Sequence, residues 1–415
     1  MKIAYLHQYF VTPDQGGATR SYEFATRLAA AGHEVHMVTS DPNRERWGRG
    51  WDVRRLDGFY VHSTPVRYNN NMKYRERIFA FIAFAWRAAR RIPGIGADIV
   101  FATSTPLTIA IPAIWAAWRG SVPMVFEIRD LWPDVPIAIG ALRNPLAIRA
   151  AKWLERLAYR NAARVVALAP GMKDAVVGTG YPEDKVVVIP NGSDLKIFSV
   201  APGIREELRA RFRWLGQRKL LVYIGALGYV NGVDYLIRLA FECKHLDPEI
   251  RFAVLGTGKL ESDLHRLASD LGVLNENLFM LGKVSKAEVA RWLAASDMSI
   301  ALIHGPKVLW ENATQNKFFD SLAAGRPIAN NTRGWQAQIA EAEGCGVILD
   351  SDDMKRASRQ LLGVLSDDSW LDSAGKAAKA LAHERFSRDD HARLLERVLV
   401  DALADRRRKA TSRVA

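Results

Sequence analysis

At 415 residues the chain is longer than one hydrophobic core usually serves, so two domains of about 200 residues each are expected. Its 49% hydrophobic and 25% charged residues are those of an ordinary globular protein, which excludes a disordered chain and a membrane-spanning one. The net charge of +13 is unevenly spread: from Arg44 to Arg91 twelve Lys or Arg face four acids, so this stretch looks for an anionic partner or forms a solvated basic face. Cys243 and Cys345 lie far apart without metal-ligand spacing, as buried thiols of a reducing compartment would. The opening MKIAYLHQYF has no long apolar run of a signal peptide, and a cytoplasmic location is expected.

Two stretches repeat one plan of buried strand, glycine turn and amphipathic helix, and each opens a half of the chain. KIAYLHQY leads through Gly16 and Gly17 into SYEFATRLAAAGH and the strand EVHMVTS. The basic segment 69–91 follows, NNNMKYRERIFAFIAFAWRAARR, whose apolar run reads equally as a buried helix or as an interfacial one. The strands ADIVFAT, VPMVFEI, ARVVAL and KVVVIP complete the first half. VAPG then interrupts the pattern, which places the linker between Phe198 and Trp214. In the second half KLLVYIG runs through Gly225, Gly228 and Gly232 into DYLIRLAFECK, followed by RFAVLG, NLFMLG, MSIALI, PIAN and GVILD. Short apolar runs alternating with helical periods predict parallel βαβ units, hence two doubly wound Rossmann-like domains, 1–200 and 201–386, facing each other across a cleft. Residues 387–415 read as a helix, expected to cross back, ending in a basic tail.

Ligand-binding candidates cluster at the strand ends. Gly16 and Gly17 stand in the first strand-to-helix turn, where a missing side chain lets a ligand approach backbone N–H groups, and Arg20 could add charge there. Gly256-Thr257-Gly258 sits in the same position in the second half, yet without the third glycine or the acid of a dinucleotide fingerprint, which demotes NAD. From Gln315 to Ile328, QNKFFDSLAAGRPI puts Lys317 and Asp320 one helical turn apart, a sensible cradle for diphosphate and ribose. Asp350 to Asp353 resembles an acid-rich metal site but precedes a helix, so capping accounts for it, and no metal is expected.

These segments resemble the family 4 glycosyltransferases. QNKFFDSLAAGRPI is similar to the family's carboxyl-half motif, VIPNGSD at 188–194 with Phe198 to its interdomain signature, and LGKV at 281–284 to the strand end whose backbone reads the base. GGATR at 16–20 and EIRDLWP at 127–133 extend the likeness through the amino half, and the bacterial surface-polysaccharide subgroup that includes fucosamine transferases looks nearest. The resemblance implies the GT-B architecture, a UDP-linked sugar donor in the second half, an acceptor in the first, and retention of anomeric configuration. Carried over by position, it assigns Asp130, Arg129 and Lys317 to catalysis, and Gly16, Gly17, Gly225, Gly256, Gly258, Lys283, Val284, His304, Asn312, Asn316 and Asp320 to the donor. Arg20, Glu127 and Trp132 fall to the acceptor. The chain departs from the family where its diphosphate-neutralising Arg/Lys pair is replaced by Ala226 and Asn231, which leaves Lys317 as first substitute, with Arg333 or Lys283 behind it. Asn312, with Glu311 next door, stands where the family has an acid, Asp320 where Glu is usual, and Arg129 where it has His.

The expected reaction moves an N-acetylated or deoxy sugar from a UDP donor to a glycan or lipid-linked acceptor, with no nucleic acid involved and with a peripheral position at the inner face of a membrane. A nucleotide-sugar epimerase of the same architecture and a non-catalytic glycan- or anion-binding protein are the alternatives.

Overall fold

The computed structural model describes residues 1–15, 17, 19–42, 50–68, 72 and 74–411, and their contacts divide the chain into two units. One joins Met1–Pro190 to the chain from Asp389 onward; the other is Asn191–Arg388. The division thus falls before the predicted linker at 198–214. Phe198, Leu208 and Leu215 are buried in the second unit's core, which commits that stretch to it.

The first unit is built on strands β1 (Lys2–Leu6), β2 (Glu34–Asp41), β3 (Asp52–Leu56), β4 (Phe59–Pro65), β5 (Ile99–Thr103), β6 (Met124–Ile128), β7 (Arg164–Ala167) and β8 (Val186–Val188). They lie in the order β3-β4-β2-β1-β5-β6-β7-β8, all parallel except β3, which pairs antiparallel with β4. β5 and β6 are buried at every residue because helices cover both faces of the sheet. Helix α1 (Arg20–Ala30) links β1 to β2 in one direction, whereas α2 (Tyr74–Arg91), α3 (Ala110–Gly120), α4 (Pro145–Asn161) and α5 (Pro170–Gly178) lead the chain the other way. Right-handed crossovers therefore put α1 on one face and α2 to α5 on the opposite one. The β3–β4 hairpin was absent from the sequence reading. Its turn is Asp57-Gly58, both at positive φ, and β3 exposes Arg54 and Arg55 along the sheet edge.

The second unit contains β9 (Leu220–Ile224), β10 (Arg251–Leu255), β11 (Leu278–Gly282), β12 (Met298–Ala301), β13 (Ile328–Asn330) and β14 (Gly346–Ile348), all parallel. Their order β11-β10-β9-β12-β13-β14 is the doubly wound Rossmann arrangement, whose direction reverses between β9 and β12. Around the sheet run α6 (Ile204–Arg211), α7 (Val233–Leu246), α8 (Glu261–Asp270), α9 (Lys286–Ala295), α10 (Asn316–Ala323), α11 (Trp335–Ala342), α12 (Met354–Leu365) and α13 (Asp368–Arg385). The last helix, α14 (Arg388–Thr411), packs on the first unit: Leu395, Val398 and Leu399 join Phe24 and Leu28 of α1, and Arg164 pairs with Asp405 at 2.6 Å.

Candidate functional site

In each unit the polar residues gather outside the carboxyl ends of the strands flanking the reversal of strand order, where open α/β sheets bind ligands. In the second unit that place is the end of β9. Gly225 adopts φ +154°, and a Cβ there would stand 2.9 Å from Lys317 Nζ, so the missing side chain makes room for the lysine. Lys317 enters from the first turn of α10, donates to Tyr223 Oη at 3.0 Å and lies 4.1 Å from the centre of that ring. Tyr223 in turn donates to the Ala226 carbonyl at 3.0 Å. No carboxylate pairs with Lys317 among the described residues, and burial lowers its ammonium from the usual lysine range to about 7. The N–H groups of Asn316 and Lys317, at the start of α10, have no acceptor within the helix, so their partial positive charge adds to that of the lysine.

The glycines of the next turn serve the scaffold. A Cβ on Gly256 would lie 1.8 Å from the Gly225 carbonyl oxygen, and one on Gly258 2.4 Å from that of Leu227. The two turns are laced together by Gly225 N–H to Leu255 O at 2.9 Å and Leu227 N–H to Thr257 O at 3.0 Å. Gly256 and Gly258 thus allow turn to meet turn, a structural demand for glycine that stands beside the phosphate or ribose contact expected of them. Asp320 departs from expectation too. It is buried, accepts from Ser193 Oγ at 3.0 Å and forms an ion pair with Lys286 of α9, so it does not face the same ligand position as Lys317 in this structure. Asn191 Nδ2 donates to Thr314 O at 2.8 Å, fastening the VIPNGSD segment to the approach of α10.

Other donor candidates scatter. Lys283 is exposed and Val284 packs against the core. His304 and Arg333 line a separate cavity of about 1020 Å³ beyond the ends of β12 to β14, with Arg333 bonded to Glu341 at 2.9 Å. Asn312 follows the short helix Lys307–Glu311 and keeps a buried Oδ1 without a protein partner. The acids at 350–353 cap: Asp353 accepts from Arg356 N–H at 3.0 Å and Asp350 from Asp352 N–H at 3.0 Å.

In the first unit the reversal lies between β1 and β5. Asp130, just past β6, is exposed and accepts from Thr105 Oγ1 at 3.0 Å, leaving carboxylate capacity for another hydroxyl. It caps no helix: the short helix Asp134–Ala138 starts later, with Pro133 as its N-cap. Trp132 is half-buried beside it, its N–H bonded to Asp130 O at 3.0 Å. Arg129 approaches His7 Nε2 at 3.2 Å; burial first, then the Arg129 charge, hold His7 well below its ordinary range and therefore neutral at pH 7. His7 Nδ1 and the Gln8 side-chain amide are buried with no protein partner, so both retain hydrogen-bonding capacity at the end of β1.

Arg20 and Glu127 were expected to touch an acceptor and instead hold each other. Arg20 is 6% exposed and Glu127 fully buried; they meet at 2.9 Å, and Arg20 also donates to Ile189 O at 2.8 Å and Pro190 O at 2.6 Å. Thr103 Oγ1 donates to the other Glu127 oxygen at 2.5 Å. The pair ties α1 to β6 and to the chain beyond β8. Gly17 is at φ +103°, a conformation that requires glycine, and Gly16 lies outside the described residues. Tyr223, Ser193, Lys286, Thr105 and His7 were missed as partners, since nothing local marks a strand tyrosine or a helix-start lysine as the neighbour of a distant residue.

Comparison with known proteins adds an independent line. Residues 15–192 match the model of the glycosyl transferase 4-like domain, and residues 204–381 that of glycosyl transferases group 1. An Escherichia coli protein named as a colanic acid biosynthesis glycosyl transferase is 24% identical over 62% of this chain and 66% of its own length. The alpha-monoglucosyldiacylglycerol synthase of Acholeplasma laidlawii is 20% identical over 79% of each. Among solved structures, Anabaena HepE in complex with UDP superimposes with a TM-score of 0.70 at 16% identity, covering 97% of this chain and all of that one, which shows a common fold.

Proposed function

Since the chain belongs to the glycosyltransferases that join a glycosyl transferase 4-like domain to a group 1 domain, we propose that it transfers a hexosyl or N-acetylhexosaminyl unit from a UDP-sugar, with retention, to a glycan or lipid-linked acceptor in surface polysaccharide synthesis. The observation that carries this reading is Lys317, a half-buried ammonium without a carboxylate, set beside the free N–H groups of a helix start at the strand reversal. A diphosphate supplies the counter-charge that this position lacks, and Lys317 stands in for the family's Arg/Lys pair, absent here at Ala226 and Asn231. As the glycosidic bond breaks, negative charge grows on the leaving phosphate, and a fixed cation in a poorly solvated site stabilises that growth.

The first unit takes the acceptor in this reading. Asp130 orients the attacking hydroxyl through its open oxygen, Thr105 fixes the carboxylate, and the leaving phosphate takes the proton. The neutral His7 and the Gln8 amide offer further hydrogen bonds to a polyhydroxylated acceptor. A likeness to a subgroup with fucosamine transferases and a peripheral place at the inner membrane face belong to the same proposal. The test is a panel of UDP-, GDP- and dTDP-sugars scored by the rise in melting temperature, followed by Asp130→Asn in the transfer assay. A UDP-sugar should stabilise the protein most, and Asp130→Asn should cut turnover about 10²–10⁴-fold with UDP affinity unchanged. Stabilisation by no nucleotide sugar, or parental turnover in the variant, refutes the corresponding half.

A further inference from the structure

α2, α3 and α4 lie side by side on one face of the first sheet, and each is apolar on both of its sides. Their inward stripes are core: Ala80, Phe81, Phe84, Ala85 and Ala88 of α2 are buried against the unit. Their outward stripes are apolar as well. α2 presents Phe79, Ile82 and Trp86, α3 presents Ile111, Trp115 and Trp118, and α4 presents Leu146 and Trp153, all between 47% and 72% exposed. The spacings of three, four and seven residues put each set on a single line of its helix. Every tryptophan described as more than a third exposed lies here, which scattered surface apolar residues do not explain.

Cations are interleaved with these side chains. Arg75 and Arg90 share the outward stripe of α2, with Arg90 3.7 Å from the Trp86 ring centre, and Arg119 lies in the last turn of α3. On α4, Arg149, Arg156 and Arg160 have no carboxylate partner among the described residues. Trp118 also borders a cavity of about 790 Å³ whose walls include Arg156, Arg160 and Lys185, with Asp405 in the same wall paired to Arg164. No described helix is long and apolar enough to cross a membrane, so any bilayer contact made by this face is at the surface.

We infer that the outer face of α2, α3 and α4 docks on an anionic lipid bilayer, with the aromatic rings entering the headgroup boundary and the arginines meeting lipid phosphates. Tryptophan and arginine together suit that boundary, where one end of a side chain is apolar and the other wet. Cations near such a surface are drawn to anionic headgroups, so neutral lipid is a poor substitute. The inference deepens the proposed membrane location and rests on it for its biological purpose, although its test reads binding alone.

The full chain is floated with vesicles of phosphatidylcholine and with vesicles that also contain phosphatidylglycerol, at low and high salt. Binding should appear with the anionic vesicles, weaken at high salt and shift tryptophan emission to shorter wavelength. Trp118→Ser with Trp153→Ser, and separately Arg156→Glu with Arg160→Glu, should each reduce vesicle affinity about tenfold or more, a change of about 1.4 kcal/mol. All four side chains point outward, so circular dichroism should be unchanged, and Leu246→Ser in the second unit should bind as the parent does. Absence of binding to anionic vesicles, or parental binding by both double variants, overturns the inference. A parent that sizes as a dimer and a tryptophan variant that sizes as a monomer overturns it too, by giving the face to a second copy. Sugar transfer to a water-soluble acceptor does not depend on this face, so these failures leave the donor site standing.

Discussion

Arg20 and Lys317 are both basic residues in the first turn of a helix, and their surroundings set them apart. Arg20 is saturated by Glu127 and two backbone carbonyls, whereas Lys317 reaches one tyrosine hydroxyl and no acid. A buried charge that the protein already neutralises holds elements together; one left without a counter-charge is a place for an anion. Motif position alone could not separate them, because both stand where the family resemblance expects a ligand.

The comparison breaks most visibly on the structural side. Arg20→Met leaves Glu127 buried with only Thr103, and removal of one partner of a buried ion pair costs about 3–5 kcal/mol. Chemical denaturation should show that loss, and Arg20→Met with Glu127→Leu should recover much of it. If Arg20→Met unfolds like the parent and acceptor binding suffers instead, Arg20 belongs to the site after all. Lys317→Met gives the opposite pattern: UDP affinity should fall by about 1.5–3 kcal/mol in a titration, while the melting temperature holds or rises. A variant that loses stability and keeps its affinity for UDP would make Lys317 a scaffold residue.

Gly256→Ala sharpens the contrast between backbone and ligand roles. The new methyl would run into the Gly225 carbonyl at a φ of +154°, so a loss of stability of about 1–3 kcal/mol is expected in thermal unfolding. Parental stability combined with weaker UDP binding would restore Gly256 as a phosphate contact.

Much of the architecture was legible because parallel strands buried on both faces write themselves as short apolar runs. IVFAT, MVFEI, LLVYI and RFAVL all became strands, and the helices after them followed their apolar periods. The β3–β4 hairpin escaped because VRRL is polar and lies on an edge, leaving Asp57-Gly58 as its signal. At the site, the turns and α10 were found from their residues, but side-chain direction was not. Lys317 and Asp320 share a helix face by spacing, yet Lys317 reaches back under β9 while Asp320 is claimed by Ser193 and Lys286, both far away in sequence. The apolar run in α2 was ambiguous for a physical reason: Phe81 and Phe84 face the core while Phe79 and Trp86 face out, so the helix is apolar on two sides and its period alone does not say what its outer side meets.

The state of the Lys317 ammonium tests the central claim most directly. Burial places it at about 7, below the ordinary lysine range near 10.4, so the unfolded chain binds the extra proton between those values and stability gains from Lys317 as pH rises through that window. Near pH 8 the free protein therefore holds Lys317 mostly neutral. A diphosphate beside it favours the charged form and raises its pKa, so binding must draw a proton from solution. Calorimetric titration of UDP at pH 8 in buffers of different ionisation enthalpy measures that proton. The account predicts uptake approaching about one proton per UDP in the parent and none in Lys317→Met. Buffer-independent heats in the parent, or the same uptake in the variant, would contradict it.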